Sequence, residues 1–98
     1  MGRVEVNEVH DPSGALLLRT ELLNSKRHGR EQMWNADGIL ILESHYESGE
    51  LHGEYRSWWE DGTLKETGEY RNGIRTGIYR WYKPSGEVWS EHKYEPEA

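Results

Sequence analysis

The segment Tyr46-Glu47-Ser48-Gly49-Glu50-Leu51-His52-Gly53-Glu54-Tyr55-Arg56-Ser57-Trp58-Trp59-Glu60-Asp61-Gly62-Thr63-Leu64 is one copy of a repeating unit, because its pattern returns 24 residues later from Tyr70 to Val88. Tyr46, Gly49, Gly53, Trp58, Gly62 and Leu64 come back as Tyr70, Gly73, Gly77, Tyr82, Gly86 and Val88. The same 24-residue spacing holds without insertion for Gly14, Gly38, Gly62 and Gly86, and for Gly29, Gly53 and Gly77. It holds again for Leu16, Leu40, Leu64 and Val88, for Leu22, Tyr46, Tyr70 and Tyr94, and for Trp34, Trp58 and Tyr82, with His10 in the partial first copy. A fixed period of this kind marks one small unit stacked on copies of itself.

The unit reads as a β-hairpin. Pro12-Ser13-Gly14, Ala36-Asp37-Gly38, Glu60-Asp61-Gly62 and Pro84-Ser85-Gly86 have the chemistry of a three-residue loop: Pro suits its first position, Asp or Ser its second, and Gly the left-handed third. Glu47-Ser48-Gly49 and Arg71-Asn72-Gly73 make the connections at the other end, and Asn72-Gly73 alone suggests a two-residue turn. Uninterrupted alternation sets Trp58, Leu64 and Tyr70 on one face, and a two-residue turn would then send Tyr82 to the other unless a bulge restored it. Three-residue loops are therefore expected at both ends.

These signals predict an all-β fold, a single-layer curved antiparallel meander of about eight strands near residues 3–9, 15–22, 29–35, 39–46, 53–59, 63–70, 77–82 and 87–94. No helix is expected, since Gly or Pro interrupts every eight to twelve residues. Residues 1–98 are expected to form a single repeat domain, with a partial repeat over 1–28 and repeats over 29–52, 53–76 and 77–98. The even-numbered face carries Trp34, Leu40, Tyr46, Trp58, Leu64, Tyr70, Tyr82, Val88 and Tyr94 as the expected core ladder. The odd-numbered face, where repeats disagree, carries Leu17, Ile41, Tyr55, Trp59, Tyr79, Trp81 and Trp89 among Glu31, Lys65, Lys83 and Glu91.

Composition suits such a thin sheet. Mean hydropathy is −1.02, yet the chain has five tryptophans and six tyrosines and no phenylalanine, and rings with a polar handle fit sites packed on one edge and wet on the other. No cysteine is present, which excludes disulfides, thiolate catalysis and Cys-ligated zinc. The start, Met1-Gly2-Arg3-Val4-Glu5, lacks the apolar run of a signal peptide, so a cytoplasmic location is expected. The end, Glu95-Pro96-Glu97-Ala98, reads as a frayed acidic tail. A formal net charge of −6 disfavours nucleic acid and favours a basic partner.

The motif Tyr46-x-x-Gly49-x-x-His52-Gly53-x-x-x-x-Trp58-x-x-Asp61-Gly62-x-Leu64, with its echo from Tyr70 to Val88, resembles the MORN repeat in its bacterial variant form, often associated with antitoxin and immunity proteins. The resemblance spans about residues 10 to 94. It implies a curved sheet of stacked hairpins that binds protein and, in bacterial gene pairs, neutralises a partner toxin. The eukaryotic form carries a second Gly two residues after the Gly53 position, where this chain has Tyr55 or Tyr79, so membrane binding is not expected.

Other constellations are weaker. His28 and His52 share a repeat position, which puts them two strands apart, about 9–10 Å, too far to meet on one metal ion; a backbone-bonded role beside Gly29 and Gly53 fits better. Asp37, Asp61, Ser13 and Ser85 are explained as turn residues. Arg56, Arg71, Arg75, Arg80 and Lys83, with Tyr79 and Trp81, hint at a nucleic-acid platform, but Glu50, Glu54, Glu60, Glu66 and Glu69 oppose it. No catalytic, cofactor or metal site is expected. The expected partner-binding residues are Tyr55, Trp59, Tyr79, Trp81 and Trp89, with Glu54, Glu60 and Glu66 steering a basic toxin. A second core side is the competing role for those aromatics. Three alternatives stay open: a phage or host regulatory module sequestering another protein or a small ligand, a self-assembling repeat, and a homodimer through sheet edges or the aromatic face.

Overall fold

The computed structural model describes residues 2–95. Eight strands follow in chain order: β1 (Val4–His10), β2 (Leu16–Leu23), β3 (Lys26–Trp34), β4 (Leu40–Glu47), β5 (Glu50–Trp58), β6 (Leu64–Arg71), β7 (Ile74–Tyr82) and β8 (Val88–Tyr94). Each pairs antiparallel with the next, giving one open curved sheet in the order β1 to β8. Its extents of 39 × 36 × 11 Å are those of a single layer. The helix-free meander expected from the repeat is thus the fold, while the expected acidic tail from Pro96 onward lies outside the described residues.

The Gly-containing loops form as their chemistry demands. Asp11 donates its N–H to the Ala15 carbonyl and Gly14 donates to the Asp11 carbonyl, both at 2.9 Å, and the same two bonds recur around Asn35, Trp59 and Lys83. Gly62 closes its loop at φ +92°, a left-handed value that costs a residue with a β-carbon about 1–2 kcal/mol. Asp11 and Asn35 brace the first two loops through their side chains, each accepting from the N–H groups two and four residues on.

The connections at the other end correct the expectation of three-residue loops there. Leu23 faces Lys26, Glu47 faces Glu50 and Arg71 faces Ile74. The intervening pairs Asn24-Ser25, Ser48-Gly49 and Asn72-Gly73 all have positive φ, as two-residue type I′ turns require. Strands β3, β5 and β7 accordingly begin three residues ahead of their expected starts.

Four bulges explain why alternation misled. Val9 pairs with Leu18 but His10 with Leu16, leaving Leu17 unpaired, and Ile41, Lys65 and Trp89 are skipped in the same way. A one-residue bulge reverses which side chains share a face beyond it. Trp58 still pairs with Leu64, but past Lys65 it is Glu66 and Tyr70 that align with Ser57 and Gly53. The type I′ turn then returns Tyr82 to the Trp58 face, and the repeat closes on itself. A second irregularity sits at Gly53 (φ +103°), where β5 gains two residues between the pairs Tyr46–Leu51 and Ser44–Tyr55, which preserves facing.

The expected even-numbered ladder is therefore split between two faces. Trp34–Leu40, Trp58–Leu64 and Tyr82–Val88 pair on the rear. Tyr46, Tyr70 and Tyr94 join Tyr55, Tyr79 and Trp81 on the front. The most buried described side chains, Thr20, Glu31, Ser44, Ser57 and Tyr79, all lie on this front face. The two recurring histidines hold neighbouring turns: His28 Nδ1 accepts from the Ser48 N–H at 3.2 Å and His52 Nδ1 from the Asn72 N–H at 3.3 Å.

Candidate partner-binding face

The front face is built from repeat columns that change chemistry along the sheet. One column runs Thr20, Ser44, Gly68 and the column beside it Glu31, Tyr55, Tyr79. In the first copy both members are polar, and the Thr20 hydroxyl donates to Glu31 at 2.8 Å. Arg27 also reaches Glu31, at 3.0 Å, with its guanidinium 5.3 Å from the Tyr46 ring centre. In the last copy both positions differ. Tyr79 lies against Gly68, where any β-carbon would overlap its ring. An aromatic ring laid over a strand glycine covers backbone that water would otherwise reach.

Tyr79, 1% exposed, is the centre of a packed cluster. Its ring centre is 6.3 Å from Tyr55, 6.3 Å from Tyr70, 4.7 Å from Trp81 and 6.4 Å from Tyr94. Edge-to-face pairs such as Tyr70–Tyr79, at 90° between planes, add about 0.5–1.5 kcal/mol beyond area burial. Glu66 accepts from the Ser57 hydroxyl at 2.6 Å and from the Tyr79 hydroxyl at 3.2 Å. Burial, then the Glu66 charge, pushes the Tyr79 and Tyr55 phenols above their ordinary value. Arg75 closes the cluster, 4.3 Å above the Tyr79 ring centre.

Beside the cluster lies an open groove of about 750 Å³. Met33, Ile41, Leu42 and Trp59 give it apolar walls, and Glu60 and Asp61 are acidic residues along it. Trp59 takes the column position that Asp11 and Asn35 use to brace their loops; here Asp61 accepts from the Thr63 N–H instead, at 2.9 Å. Lys65, the bulge residue, holds its ammonium 4.9 Å from the Trp59 ring centre. The Trp59 indole nitrogen is buried without a hydrogen-bond partner among the described residues.

The residues singled out in the sequence thus fall in different places. Tyr55, Tyr79, Trp81 and Glu66 come together as one packed cluster. Trp59 and Glu60 line the groove, with Tyr55 and Glu66 at its inner side. Trp89 stands apart as a bulge residue on β8, 66% exposed. Glu54 belongs to the rear face, where it meets Arg56 at 3.5 Å, because β5 alternation turns it away from Tyr55. Sequence reasoning missed Tyr70, Tyr94 and Arg75 as members of the cluster. The signal was present for Arg75, which stands 48 residues after Arg27 in the same column.

The family described as MORN repeat variant matches residues 27–48, 51–72 and 75–95. The chain belongs to this family. Each matched MORN unit opens at Arg27, Leu51 or Arg75 and spans one three-residue loop with its two strands. MORN repeats are not an enzyme family. Neither the curated proteins nor the solved structures give a match. Among the described residues, no helix is long and apolar enough to cross a membrane.

Proposed function

We propose that this MORN protein is a protein-binding scaffold of the antitoxin or immunity kind, which takes a basic partner on its front face and covers that partner's working surface. The groove between Trp59 and Ile41, with Glu60 and Asp61 along it, carries this reading. An apolar slot beside carboxylates suits an aliphatic or aromatic anchor flanked by Lys or Arg. The net charge of −6 favours approach of such a partner over nucleic acid. Co-expression with the product of the adjacent gene tests it: a co-purifying complex and relief of that product's toxicity are expected, and finding neither overturns the reading. Charge reversal at Glu60→Lys with Asp61→Lys is expected to slow association roughly tenfold at low salt.

A second reading, assembly with further copies, is favoured by the sheet edges. Val4 and Val6 on β1 and Val88 and Trp89 on β8 are all exposed, and open apolar edges can pair between chains. A molecular mass by light scattering that stays at one copy across concentrations removes this reading.

A further inference from the structure

The repeat supplies an internal comparison for one cation. Arg27, Leu51 and Arg75 occupy one column, and four residues on stand Glu31, Tyr55 and Tyr79. Arg27 meets a carboxylate in its own unit, Glu31 at 3.0 Å. The matching position in the last unit is the phenol Tyr79, whose hydroxyl is turned to Glu66. Arg75 therefore stacks on a ring where Arg27 finds a counter-charge. No carboxylate pairs with Arg75 among the described residues. Strand β7 is alone among the eight in having no Asp or Glu. In the acid-free run from Tyr70 to Gly86, Arg80 is paired with Glu91 at 2.7 Å on the opposite face, whereas Arg75 has no such partner among the described residues.

We propose that Arg75, held by Tyr70, Tyr94 and Tyr79, is a binding site for a carboxylate of the partner protein, an Asp or Glu side chain or a chain end. Arg75 Nε donates to the Tyr70 hydroxyl at 3.1 Å and Nη1 to the Tyr94 hydroxyl at 3.2 Å. A guanidinium has five N–H donors, so most of them remain without an acceptor among the described residues. The Tyr94 hydroxyl oxygen accepts from Arg75, and its own proton has no acceptor among the described residues. The ring beneath and the two phenols fix the plane and heading of the fork before any ligand arrives, which reduces the ordering cost of binding. A planar fork matches a carboxylate through two parallel bonds.

The role of the site rests on the partner-binding reading, because one carboxylate on one partly exposed arginine binds weakly alone. Its chemistry is testable without the partner. Isotope-labelled full chain titrated with sodium acetate at constant ionic strength is expected to show a saturable shift of the Arg75 Nε–H resonance, absent with sodium chloride. Arg75→Leu places in β7 the residue this column already has at Leu51, so the sheet accommodates it. In that variant the acetate response at the Tyr94 ring and the Trp81 indole is expected to fall roughly tenfold or more. A response that does not saturate, or is unchanged in Arg75→Leu, overturns the site. Saturation by inorganic phosphate at tenfold lower concentration than acetate overturns the carboxylate assignment. A chain that binds acetate but no neighbouring gene product loses the proposed function and keeps the site; one that binds the partner without an acetate response loses the site alone.

Discussion

The unit at β2–β3 and the unit at β6–β7 share one backbone plan and solve burial in opposite ways. Around Glu31 the front face is a hydrogen-bonded polar group, Thr20 and Arg27 on a carboxylate. Around Tyr79 it is an aromatic stack seated on Gly68. The bulges and turns thus carry the fold, leaving the front columns free to vary as matched pairs: a hydroxyl beside a carboxylate, or a glycine beneath a ring.

Gly68→Ala should disturb the aromatic unit most. Its β-carbon would overlap the Tyr79 ring, and displacing a packed ring costs about 1–3 kcal/mol; a reduced midpoint in urea unfolding checks it. Next comes Glu31→Gln, which keeps an acceptor for Thr20 but removes the charge facing Arg27, with an expected loss of about 1 kcal/mol. If carboxylate neighbours are what separate the two arginines, Glu31→Gln also gives Arg27 a response to acetate. Ser44→Ala, in the same column as Gly68, goes the other way. Ser44 is 1% exposed with a hydroxyl that has no partner among the described residues, so its removal should leave stability level or raise it by less than about 1 kcal/mol.

The smallest effect is a pH dependence of the loops. The Ser13 hydroxyl and then the Ala15 N–H hold the Asp11 carboxyl below its ordinary 3.8. Bonding from Thr63 does the same for Asp61. A carboxyl lowered in the folded state contributes stability above the unfolded value, and this is lost as pH falls through the folded one. Asn35 makes equivalent bonds without titrating. In an Asp37→Asn background, which leaves the Asn35 loop without a carboxyl, amide resonances of Ala15 and Thr63 should therefore shift below pH 3.8 while that of Ile39 stays level, and a matching step at Ile39 overturns the assignment.

The period, the Gly62-type loops and the strand count were legible because each rests on local chemistry. Facing was not. The bulge position is filled by Leu17, Ile41, Lys65 and Trp89, an aliphatic pair, a cation and an aromatic, so nothing in residue type announces it. Asn72-Gly73 did announce its two-residue turn, and the assumption of unbroken alternation through Lys65 overrode that local signal. The same assumption sent Tyr70 and Tyr94 to the wrong face and hid their bonds to Arg75. Tyr55, Tyr79 and Trp81 were found together because β5 and β7 keep their facing across the two-residue irregularities at Gly53 and Gly77.

Because the strands lie in chain order and each pairs only with its sequence neighbours, no strand waits on a distant part of the chain for its partner, and a hairpin, marginal alone, needs only the next strand to hold it. Such low sequence separation predicts fast folding for a β protein. It also predicts graded opening, since β1 and β8 have one neighbour apiece and the inner strands two. Native-state amide exchange should be slowest across β4 and β5 and quicken toward both ends; uniform protection from β1 to β8 would mean that the sheet opens as one block.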